Sequence, residues 1–153
     1  MIKFYSIYKS DFKIRNKILN SIKNVINKNN FILGKEVDEF ENNFSKFCGS
    51  KYAISCSNGT DAITLALLSL DLPKNSEVII PAMTYASTFY AVLNAGLKPI
   101  LVDINNNDPL INFDHILNKI TNKTRVIIPV HLYGSVVDIQ KLKKKINKKI
   151  FII

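Results

Sequence analysis

Apolar and polar positions follow two rhythms along this chain, and the change comes near residue 51. Residues 11 to 27 place Phe12, Ile14, Ile18, Leu19, Ile22, Val25 and Ile26 mostly three or four apart, which predicts an amphipathic helix. The stretch "NKNNFILG" breaks that pattern and carries an apolar patch, Phe31 to Leu33, into Gly34. A second helix is expected over about 35 to 47. Val37, Phe40, Phe44 and Phe47 mark its buried stripe, and Glu36, Asp38, Glu39 and Glu41 load its first turns with the charge a helix N-terminus favours.

From residue 51 short apolar runs alternate with helical periods. "YAISC", "EVIIP", "PILVD", "RVIIPV" and the final "IFII" read as strands. Residues 59–70, 84–95 and 113–120 and a lysine-rich stretch near 139–146 read as the helices between them. Strands alternating with helices predict an α/β fold with a mostly parallel sheet flanked by helices. Continuous apolar runs are what strands buried on both faces require.

The chain has 153 residues, 47% of them apolar, enough for a core and too apolar for a disordered chain. Its apolar runs are too short to cross a bilayer, so no membrane insertion is expected. Met1 to Ser6 lack a secretory pattern. Cys48 and Cys56 form neither a disulfide framework nor a metal set, and read as free thiols of a cytoplasmic protein. The net charge of +9 is mostly local. Six lysines lie between Lys141 and Lys149, and without them it falls to +3. Ile139, Leu142 and Ile146 sit among those lysines at helical spacing, so they read as a solvated helix face. A nucleic-acid patch would want interleaved aromatics and arginines, and no nucleic-acid partner is expected.

Candidate chemistry gathers where strands end, because ligands of open α/β sheets bind beyond the carboxyl ends of the strands. Ser57-Asn58-Gly59-Thr60 opens a helix, where unpaired N–H groups and the helix dipole suit a phosphate. The same turn also serves as an ordinary N-cap by Ser57 or Asn58. There is no GxxxxGK[ST] and no GxGxxG, so the phosphate of a small cofactor fits better than a nucleotide. Tyr85 follows "EVIIP" and could lie flat on a ligand, or be a core aromatic. His131 follows "RVIIPV" at the same edge, where a histidine can equally be structural. Asp103 ends "PILVD" and reads as a turn former before "INNNDP".

Three ordered segments, "FILGKEVDEFENNFSKFCGSKYAISCSNGTDAITLALLSL", "EVIIPAMTYASTFYAVLNAGLKPILVDI" and "RVIIPVHLYGSVVDI", resemble the DegT/DnrJ/EryC1/StrS family of sugar aminotransferases. The resemblance runs from about residue 12 to the end. It implies part of the large domain of the fold-type I aminotransferase architecture and pyridoxal 5'-phosphate (PLP) as cofactor. The substrates it implies are a nucleotide-linked keto sugar and an amino donor such as glutamate, and it implies a homodimer. Residues 1–50 would form a helical arm and 51–153 a partial PLP-binding domain. Gly59 and Thr60 match the family's phosphate-cup turn, Tyr85 its ring-stacking position, and His131 a segment near the cofactor.

In that family the carboxylate facing the ring nitrogen follows the strand that "IFII" begins, and the Schiff-base lysine comes much later. Lys51, Lys98 and Lys149 precede strands, at the wrong edge to substitute. The expectation is therefore the front portion of an aminotransferase, inactive alone and ending on an exposed edge strand. A dehydratase of the same family, or a non-catalytic remnant, are the alternatives.

Overall fold

Side chains that alternate between two faces of a strand need cover on both sides, and the apolar runs of this chain obtain it. The computed structural model describes residues 12–153. Strand β1 (Glu77–Pro81) is buried along its whole length. It pairs in parallel with β2 (Lys98–Val102) on one side and β3 (Thr124–Ile127) on the other, and β3 pairs with β4 (Phe151–Ile152). The sheet order is β2-β1-β3-β4.

The helices are α1 (Phe12–Lys28), α2 (Lys35–Cys48), α3 (Gly59–Leu68), α4 (Ser87–Asn94), α5 (Phe113–Lys119) and α6 (Ile139–Lys145). Alternation along the strands divides the core. Val78 and Ile80 of β1, with Val126 and Ile128 at β3, pack under Leu67 of α3 and Val92 of α4. Ile79 and Ile127 face the other way, onto Ile116 of α5 and Leu142 of α6. Each fully buried side chain of this kind contributes about 2 kcal/mol. The result is an α/β fold with helices on both faces of a parallel sheet.

Two packed units divide the chain, one ending at Ser55 and one from Cys56 to Ile153. In the first, Lys28 donates to Glu36 Oε1 at 2.9 Å, and this hydrogen bond holds the Glu36 carboxyl below its usual 4.5. Gly49 closes α2 in the left-handed conformation (φ 66), where glycine meets no steric penalty.

Three expectations need correction. "YAISC" forms no strand: residues 52–56 pair with no neighbour among the described residues. A run of β-prone residues is a strand only with a ladder to join, and here the Ser55 N–H donates to Glu41 Oε1 instead, at 2.6 Å. The aromatic stripe of α2 is not buried. Phe40 and Phe44 stack with ring centroids 5.6 Å apart, yet they and Phe47 are exposed, Phe47 at 86%. Strand β2 is not buried on both faces either; only Val102 is, because β2 lies at the edge of the sheet.

At the opposite end of the strands sits a buried charge. Glu77 is 6% exposed and accepts from the Thr121 hydroxyl at 2.5 Å and the Thr124 hydroxyl at 3.4 Å. Lys98 Nζ lies 3.5 Å from its other oxygen.

Candidate functional site

The strand order places a topological switch point between β1 and β3. From β1 the chain crosses to β2 on one side, then returns to β3 on the other. The loops leaving β1 and β3 therefore turn toward opposite faces, and the position beyond their carboxyl ends is where such sheets usually form a ligand crevice. Tyr85 lies in the loop after β1 and His131 in the loop after β3.

The first loop is held by its own hydrogen bonds. Ala82 N–H donates to Val102 O at 2.8 Å, and Thr88 N–H to Tyr85 O at 3.0 Å. The hydroxyls of Thr84 and Thr88 pair at 3.0 Å. These contacts fix the Tyr85 backbone, while its side chain is 80% exposed. Among the described residues Tyr85 is therefore no core aromatic.

Helix α3 leads through residues 69–76 into the start of β1, so its own start lies at the β1 carboxyl end. Thr64 Oγ1 donates to Ala91 O at 3.4 Å, which ties α3 to α4. Asn58 caps α3: its Oδ1 accepts from Asp61 N–H at 2.9 Å. Asp61 was not apparent from sequence. Its carboxylate accepts from the Ser57 hydroxyl and, at 3.0 Å, from Asn58 Nδ2. A cap residue followed three positions later by an acid is the signal that could have found it.

The cap does not use every donor of the helix start. With Ser57 and Asn58 engaged by Asp61, the donors left at the helix start are the N–H groups of Gly59 and Thr60 and the Thr60 hydroxyl, none of them donating among the described residues. A Cβ added at Gly59 meets no atom within 4 Å. Glycine here answers no steric demand of the chain itself, and the space in front of it is open.

His131 is exposed, and its Nδ1 accepts from Val137 N–H at 3.0 Å. Asp103 Oδ1 accepts from Ile104 N–H at 2.8 Å, as a turn former should. Lys98 and Lys149 stand at or before strand starts, at the edge opposite the crevice; Lys51 lies in the first unit. A separate groove of about 330 Å³ is lined by Asn112, Asp114, Val137, Lys141 and Lys145 and by none of Gly59, Thr60, Tyr85 or His131.

A parallel sheet flanked by helices, with a switch point between its two central strands, is an open α/β architecture of the kind that takes ligands at that point. Residues 12–153 match the DegT/DnrJ/EryC1/StrS aminotransferase family, and the chain belongs to it. It is 38% identical to a dTDP-3-amino-3,6-dideoxy-alpha-D-galactopyranose transaminase of Aneurinibacillus thermoaerophilus, over 98% of this chain and 42% of that protein. The chain thus spans between 30% and 42% of the length of the curated relatives it matches.

Among solved structures it superposes on NtdA of Bacillus subtilis with bound cofactor PMP. The TM-score is 0.88 at 38% identity, over 93% of this chain and 33% of that one. It also superposes on the Escherichia coli GDP-4-keto-6-deoxy-D-mannose-3-dehydratase with bound hydrated PLP. There the TM-score is 0.85 at 28% identity, over 99% of this chain and 40% of that one. No helix among the described residues is long and apolar enough to cross a membrane.

Proposed function

We propose that this chain is the phosphate-holding and ring-covering part of a PLP-dependent aminotransferase acting on nucleotide-linked keto sugars. What supports the reading is the strand order, which sets the loops bearing Tyr85 and His131 on either side of one switch point, together with the open start of α3, placed by chain direction at the carboxyl end of β1. These groups fit PLP. Two backbone N–H groups and a hydroxyl suit a phosphate dianion at a helix N-terminus. An exposed tyrosine ring suits one face of a flat heterocycle. When bound, PLP supplies the electron sink that transamination needs. Gly59 and Thr60 would hold its phosphate, Tyr85 would cover its ring and keep water from that face, and His131 would border the site.

The relatives' names support a nucleotide-linked keto sugar as acceptor; glutamate is proposed as amino donor. The parent enzyme is proposed to be a cytoplasmic homodimer serving amino-sugar and surface-polysaccharide synthesis. No lysine of the second unit stands at the crevice by fold position: those near strand starts are at the far edge, and those of α6 flank the separate groove or face solvent. The lysine and the ring-nitrogen carboxylate are therefore proposed to come from further sequence, leaving residues 1–153 inactive alone.

Borohydride reduction of the 153-residue chain with PLP, followed by peptide mass mapping, tests this. Scattered substoichiometric labelling is expected; one lysine labelled stoichiometrically would overturn the claim. Tyr85→Ala in the complete enzyme should loosen PLP by about 1 kcal/mol, roughly fivefold in Kd. Absorbance titration reads it, and an unchanged Kd removes Tyr85 from the cofactor.

A dehydratase is the second reading, favoured by the superposition on the E. coli enzyme over 99% of the chain. Product analysis separates the two: a transaminase delivers an amino sugar and the oxo acid of its donor, and a dehydratase delivers a deoxy sugar.

A further inference from the structure

The loop after β3 carries two features that the cofactor reading leaves unused. The first is that the His131 side chain is tied into its own loop, with Nδ1 accepting from Val137 N–H at 3.0 Å. The second lies between those residues. Tyr133 (φ 52) and Gly134 (φ 84) follow one another in the left-handed region. Glycine enters that region freely, but a tyrosine there is strained and must be held by its surroundings. The Tyr133 side chain is exposed, so packing does not hold it.

What holds the turn is a pair of hydrogen bonds. Ser135 N–H donates to Leu132 O at 3.0 Å, and Val137 N–H donates to the imidazole. Val137 is itself fixed in the core with Ile79, Ile127 and Leu142. The histidine thus joins the end of β3 to a buried anchor across the strained turn.

A ring nitrogen that accepts a hydrogen bond must keep its lone pair. Nδ1 is then bare, and a neutral imidazole carries its proton on Nε2. Among the described residues Nε2–H has no partner.

We propose that His131 is a positioning residue for the crevice. It is neutral, fixed as the Nε2–H tautomer by the Val137 amide, and it buckles residues 131–137 into the shape that borders the ligand. Its one remaining donor suits an oxygen acceptor, such as a ring hydroxyl or carboxylate. The identity of that ligand as PLP rests on the proposed function; the buckle does not.

The test uses ¹⁵N-labelled protein with and without PLP. The chain has two histidines, His115 and His131, so a His131→Asn variant assigns the ring signals. Long-range ¹H–¹⁵N spectra are expected to show His131 with Nδ1 bare and Nε2 protonated. Exchange of the Val137 amide should speed up about fivefold in His131→Leu, the worth of one hydrogen bond. It should return to within about twofold in His131→Asn, whose side-chain oxygen can accept in place of Nδ1. In the complete enzyme, PLP Kd should rise in the Leu variant and recover in the Asn variant.

A ring protonated on Nδ1, or one averaging both tautomers, overturns the proposal. So does unchanged Val137 exchange in the Leu variant. If protection of the Val137 amide is lost in the Leu variant but PLP affinity stays the same, the tie is structural only and the positioning role falls. Should His131→Leu not fold, the tautomer of the unsubstituted protein and the Asn variant decide. If the complete enzyme takes up no PLP, the cofactor reading fails by itself, and tautomer and exchange in the 153-residue chain still judge the buckle.

Discussion

Gly59→Asp is expected to weaken PLP binding by about two orders of magnitude while leaving the fold intact. Residue 59 is the first of α3, and an added side chain meets open space. Its backbone needs no left-handed conformation, so a substituent brings no strain. An aspartate at a helix start interacts favourably with the dipole, so stability should hold or rise slightly. The same carboxylate would stand where the phosphate is proposed to sit. Two like charges about 5 Å apart at an effective dielectric of about 20 repel by roughly 3 kcal/mol, close to a hundredfold in Kd. Gly59→Ala is the control: it fills the same space without charge and should alter Kd far less. The measurement is an absorbance titration of PLP into the complete enzyme, with a melting curve for each variant. If Gly59→Asp melts normally and binds PLP like the parent, the phosphate lies elsewhere and Gly59 is only the first residue of a capped helix.

The sheet was legible because its signal is local. "EVIIP" and "RVIIPV" are apolar whichever face they turn, and alternation sends Ile79 one way and Val78 and Ile80 the other. The failures were of pairing and cover, which no local pattern contains. "YAISC" has strand composition and, among the described residues, no strand beside it. The α2 aromatics have helical spacing and, among the described residues, nothing over them.

The positions of Tyr85 and His131 beyond the strand ends followed from reading each strand's direction. That they flank a switch point did not follow, since it depends on β1 lying between β2 and β3. Asp61 was within reach, three residues from its cap. Glu77 was not: it looked like the polar first residue of a strand, and its hydroxyl partners lie 44 and 47 positions along the chain.

Glu77→Ala should be the most damaging single change away from the crevice, costing about 3 kcal/mol. Truncating one member of a buried, hydrogen-bonded charge cluster leaves its partners unsatisfied. The partners differ in how they recover. Thr121 is exposed and Lys98 largely so, and both can turn to water. Thr124 is buried; its hydroxyl accepts from Thr121 N–H at 2.9 Å and loses the oxygen it donates to. A drop in Tm of roughly 8 °C is expected for a chain of this size.

Glu77→Gln separates charge from shape, and pH reads the charge. The Thr121 hydrogen bond, opposed by burial and aided by Lys98, holds the Glu77 carboxyl below its usual 4.5. A carboxyl whose pKa is lower folded than unfolded stabilises the fold fully above the unfolded value, and that stabilisation is lost as pH falls through the folded one. The parent should therefore exceed Glu77→Gln in stability at pH 7 by urea unfolding, and the gap should close as pH falls below 4.5. Other carboxylates titrate in both proteins and cancel in the difference. A gap that stays constant into acid would mean that Glu77 acts through its shape alone, and that the charge at the amino end of β1 contributes nothing to holding β1, β2 and the turn before β3 together.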